Sequence, residues 1–259
     1  MLAASLFIGG CGRRVAVAPP PVPTPESFYT EGLSAFHEGT PESYTRAIDA
    51  FRRASKMRPA RCEYLLNLAQ SLLFLATEQL LNWEDYEPSQ NEAKAIVDTA
   101  QSSCTESYEP FLLRLRALIA GRGPTATELS NRAVDLAPMD AMNWVVLGYL
   151  DPSSRHLVTE NGSGRWVGMV RALELKPDSA LIQYELGKNS QIIRGRETEA
   201  RRAFERAIEL SPRHFRAYLG LAYSVDESMD VEPLYQKVVE IAPKFLEGRI
   251  PLGLSLIHI

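Results

Sequence analysis

Residues Leu181 to Pro212 read LIQYELGKNSQIIRGRETEARRAFERAIELSP, and the reading of this stretch decides the fold. Its first half places Tyr184, Leu186 and Gly187 on one helical face. After a turn around Gly195, the residues Ala200, Phe204 and Ala207 recur at four and three positions, and Pro212 stops the run. The pattern predicts two amphipathic helices joined by a short turn, an αα-hairpin. Its small residues let the two helices approach closely.

The register recurs. A proline closes a helical run at Pro59, Pro138, Pro177, Pro212 and Pro243. Ten residues beyond each stands a small residue (Ala69, Gly148, Gly187, Ala222, Gly253), with a leucine just before it (Leu68, Leu147, Leu186, Leu221, Leu252). Five residues before each proline is Ala54, Ala133, Ala172, Ala207 or Val238. Three spacings held across five turns resemble the tetratricopeptide repeat, a helix–turn–helix unit of about 34 residues. Trp144, Leu147 and Gly148 match that family's WxxLG arrangement. The resemblance implies an all-α superhelical solenoid of about six repeats. It places them at about 27–59, 60–105, 106–138, 139–177, 178–212 and 213–243, with a seventh beginning before residue 253.

Individual units carry their own signals. Thr40 and Pro41 read as cap and first-turn residue of a helix whose buried stripe is Ala47, Phe51 and Ala54. Thr125 and Glu128 read as a capping box. In the second unit, YLLNLAQSLLFLATEQLL is apolar nearly all round, which predicts burial on more than one side. An insertion with Trp83, Tyr86 and Pro88 follows; it reads equally as a partner site or as padding. Cys62 and Cys104 fall at the open end of this one hairpin, where a disulfide would reach. Two reduced cysteines at helix ends are the other reading.

The termini differ from the array. Leu2 to Gly10 is apolar, too short to span a bilayer, and ends in Ile8, Gly9 and Gly10 before Cys11. Residues 1–11 resemble the tail of a bacterial lipoprotein signal, which implies that Cys11 is lipidated. No Lys or Arg precedes the apolar stretch, a departure that suggests a start further upstream. Gly12 stands where aspartate favours inner-membrane retention, so the implied location is the cell envelope, with a lean to the outer membrane. Without that signal the array would be cytoplasmic. Residues 12–26 are proline-rich and read as a semi-rigid tether. Residues 254–259, LSLIHI, leave the repeat pattern and resemble a translated sequencing-transposon end, so natural sequence is expected to continue past Gly253.

The 28 basic and 32 acidic residues leave a net charge of −4, which argues against a nucleic-acid partner. His37, His156, His214 and His258 are scattered, and no HExxH, GxSxG or CxxC occurs, so no catalytic residue, metal or cofactor is implied. Carboxylates beside arginines in ETEARRAFERAIE read as solvated helix pairs. The function expected is therefore non-enzymatic: a scaffold or assembly factor that holds a protein or peptide segment and meets the membrane only through its lipid. The alternative is the interaction arm of a longer enzyme or transport component. In the tetratricopeptide family the first helix of each unit lines a concave groove. Carried over, that register implies Tyr29, Phe36, Phe74, Tyr149, Tyr184, Lys188 and Tyr223 as groove residues. Packing of several of these aromatics between units is the competing account.

Overall fold

The computed structural model describes residues 22–81, 84–150, 164–224 and 230–243. Every described element is helical: α1 (Pro25–Glu38), α2 (Pro41–Met57), α3 (Cys62–Leu81), α4 (Glu87–Ser103), α5 (Glu109–Ala120), α6 (Pro124–Leu136), α7 (Ala141–Leu150), α8 (Gly164–Leu175), α9 (Ala180–Gln191), α10 (Glu197–Leu210), α11 (Phe215–Ala222) and α12 (Glu232–Ile241). Consecutive helices pair as antiparallel hairpins, and each hairpin packs on the next. Cys11, expected to accept lipid, most of the proline-rich segment, Trp83 and residues 254–259 lie outside the described residues. None of the described helices is long and apolar enough to cross a membrane.

Local chemistry sets the helix ends. Thr24 and Thr40 cap α1 and α2, each exchanging backbone-to-hydroxyl bonds with a serine three residues on (Ser27, Ser43). Six helices carry proline in their first two positions (Pro25, Pro41, Pro88, Pro110, Pro124, Pro233), where a missing N–H costs no helix bond. The first helix thus opens at Pro25, two residues inside the segment expected to be tether. The capping box expected at Thr125 and Glu128 is not formed. Helix α6 begins earlier, after Gly123, whose φ of 151° lets the chain turn, and no side chain caps it. On α10, Arg206 pairs with Glu209 at 2.7 Å on the exposed face.

Within hairpins, a large ring on the second helix fills the gap left by glycine on the first. A methyl at Gly32 would meet the Phe51 ring at 2.6 Å. Phe204 is wedged between two helices in the same way, since a methyl at Gly187 would come within 2.8 Å and one at Gly220 within 2.5 Å. Trp144 donates its Nε1–H to the Pro138 carbonyl at 2.7 Å, tying the start of α7 to the end of the preceding hairpin. One apolar core runs from the first hairpin to the fifth. The sixth has its own smaller core of Phe215, Leu219, Tyr235, Val238 and Ile241.

The first helices of neighbouring hairpins touch one another, α1 with α3, α3 with α5, α5 with α7 and α9 with α11. Helix α1 also touches α9, four hairpins later. The row of first helices therefore curls round until α1 meets α9 of the fifth hairpin, which makes this row the inner layer.

Candidate partner-binding surface

The inner layer holds most of the residues expected to line a groove, in differing surroundings. Phe36 is 1 % exposed; it meets Phe74 edge-on at 5.2 Å and Tyr44 at 5.6 Å. It belongs to the core and offers no contact area to a partner, a correction to its expected role. Phe74 is half-buried in the same cluster. Tyr29 packs half-buried against the core of the first two hairpins, its ring tilted 5.0 Å from Tyr64 and 5.8 Å from Phe51. Tyr223 is 56 % exposed and meets Tyr235 edge-on at 6.3 Å.

Tyr184 and Lys188 come together one turn apart on α9. The ammonium sits 5.1 Å from the Tyr184 ring centre and donates to Glu185 at 2.8 Å. Burial pulls the Lys188 ammonium down, but the Glu185 carboxylate and the Tyr184 ring reverse this and hold it above the ordinary lysine value. Tyr149 is half-buried on α7 and contributes to the same field. Opposite this wall stands Glu78 on α3, whose carboxylate is pushed up by burial and eased back by Arg216 of α11 at 2.9 Å. Glu78 Oε2 has no aligned hydrogen bond, so this is a charge contact.

Cys62 and Cys104 are joined by a disulfide, closing the open end of the second hairpin. The aromatic insertion is short: Tyr86 immediately precedes α4 and Pro88 is already inside it. A buried cluster that sequence reading does not single out joins three hairpins. Arg114, 2 % exposed, donates to Gln70 at 3.0 Å, to Asp140 at 2.6 Å and to Asn143 at 2.7 Å, and stacks over Phe111 at 4.1 Å. Its only advance signal is an arginine inside the apolar run FLLRLRALIA.

The seam where the array meets itself is the other feature without a sequence signal. The α1–α2 turn at Gly39 lies against Leu181, and His37 bonds the Ser179 hydroxyl at 3.0 Å across 142 residues of chain. His214, fully buried, caps α11 by accepting the Ala217 N–H and lies 4.7 Å from the Tyr184 ring. Beside the seam opens a cleft of about 820 Å³ lined by His37, Glu42, Arg46, Lys176, Asp178 and Arg213 among others. Among the described residues no group of three His, Cys, Asp or Glu is placed to hold a metal ion.

Paired helices, glycine-to-ring nesting and a curled inner row settle the architecture. This is a tetratricopeptide-type solenoid. No protein-family model matches the chain, and no curated protein does. Solved structures similar to it include MamA, with a TM-score of 0.34 and 18 % identity over 82 % of this chain and 92 % of that one. The C-terminal part of a TPR repeat-containing protein from Cytophaga hutchinsonii gives 0.38 and 16 % over 82 % and 80 %. Yeast Tom70 gives 0.45 and 16 %; 94 % of this chain matches 48 % of that one, so this chain spans about half of Tom70.

Proposed function

We propose that this chain is a non-enzymatic protein-interaction module of the bacterial cell envelope, tethered by lipid at Cys11 and holding a partner segment against its inner layer. The observation that carries the interaction reading is the half-buried group Tyr149, Tyr184 and Lys188, which the first helices α7 and α9 leave on that layer. Aromatic rings offer wide contact with little rotamer entropy to lose, and a cation held over a ring adds directional attraction. The Cys62–Cys104 disulfide supports the envelope reading, because such bonds persist in oxidising compartments.

Two experiments test this. Full-length protein crosslinked in envelope extracts should capture a defined partner, and Tyr149→Ala with Lys188→Glu should reduce that capture at unchanged helicity. Capture indifferent to both changes would remove the inner layer as the contact. Separately, Cys11→Ala should shift the protein from the membrane fraction to the soluble one. Continued pelleting would refute the lipid tether.

A further inference from the structure

We propose that the seam between the first hairpin and the fifth and sixth is a proton-operated latch, which opens when His37 and His214 are protonated and gives access to the inner layer.

Both histidines are built into the seam, His37 against the start of α9 and His214 at the start of α11. The bond between His37 Nδ1 and Ser179 Oγ joins α1 to the cap of α9, the residue that also accepts the Ile182 N–H. His214 accepts a backbone N–H at Nδ1, so its neutral ring carries the proton on Nε2. That Nε2 has no hydrogen-bond partner and lies against the Gly39 turn, where a methyl group would sit 3.2 Å from it. A second proton on either ring would place a cation where two coils of the chain touch. Opening lets water reach it.

The surrounding charges reinforce this. Burial lowers His37 to about 4, helped by Lys176 and opposed by Asp178 and Asp140. Burial lowers His214 to about 3, opposed by its backbone bond and helped by Arg216 and Lys188. Glu38, Glu42, Arg46 and Arg213 line the adjoining cleft, and Tyr44, Glu78, Tyr184 and Glu185 complete the wall near His214. For a histidine lowered in the closed form, protonation favours the open form as pH falls below the free value of 6.5. At about pH 5 each ring would shift the opening equilibrium roughly 30-fold, and the pair about a thousandfold, if both reach water. Glu78 acts in the opposite sense, because burial raises it and acid therefore favours its closed form. Because its titration is displaced upward towards the histidine window, the histidine share is read from the response lost in the His37 and His214 variants.

The test uses the full chain with Cys11→Ser and spin labels at Ser34→Cys and Arg213→Cys, on opposite walls of the cleft. The distance distribution should be single and short at about pH 7.5, with a longer population growing towards about pH 5 while far-ultraviolet helicity holds. His37→Asn keeps an amide that can donate to or accept from Ser179, and His214→Asn keeps a capping oxygen. Each single change should remove about half of the response on a logarithmic scale, and both together nearly all of it. An unchanged distribution in the parent chain would overturn the latch. So would equal widening in the single variants, or helicity lost in step with widening.

Discussion

Replacing Gly39 by alanine separates two physical costs that the structure places at one residue. Gly39 ends α1 at φ 73°, ψ 29°, the left-handed region, where an L side chain costs about 1 kcal/mol. A methyl there would also lie 2.9 Å from the Leu181 Cα and 3.0 Å from its Cβ, closer than atoms pack. Backbone cannot swing aside as a side-chain tip does, so the two coils must separate, at about 1–3 kcal/mol typical of overpacking. Gly195 supplies the control: its φ is 86°, and nothing lies within 4 Å of a methyl added there. Both changes gain the same small benefit from a stiffer unfolded chain. Urea unfolding followed by circular dichroism should therefore rank Gly39→Ala about 1–3 kcal/mol below Gly195→Ala. Hydrogen exchange at the start of α9 should quicken only in the former. Equal destabilisation within about 0.5 kcal/mol would mean the coils do not touch, and the closed architecture would fall.

Phe204→Ala should cost about 3–5 kcal/mol by chemical denaturation, since the ring fills the space between Gly187 and Gly220 and no neighbour can collapse into it. Arg114→Leu should cost about 3 kcal/mol, chiefly by stranding the buried oxygens of Gln70 and Asn143; Asp140 is 38 % exposed at its side chain and water will take it. Cys62→Ser with Cys104→Ser should lower stability by about 4 kcal/mol for a bridge spanning 42 residues, and reducing agent should then have no further effect on the variant.

The helical array was legible because its signals are local. The prolines at 59, 138, 177, 212 and 243 each stand two residues past the ends of α2, α6, α8, α10 and α12, and the alanine or valine five residues earlier is buried in every case. Turn chemistry was less legible. Thr125 and Glu128 have the spacing of a capping box, yet Pro124 starts α6 first and leaves the threonine inside the helix. Phe36 shows why groove residues resist the same reading. Its position on a first helix is clear, but whether a side chain there meets solvent or a neighbouring ring depends on Phe74 and Tyr44, which lie on other helices.

Spacing along the chain was enough to determine paired helices, because a helix repeats every few residues and needs only short side chains where it nests. Only the tertiary structure decided that the stack bends until α1 reaches α9, bringing His37 to Ser179 and Arg216 to Glu78. Curvature is the sum of small rotations at successive hairpin interfaces, each set by side-chain volumes on both sides. A local pattern repeats at every interface, whereas that sum is a property of the whole stack.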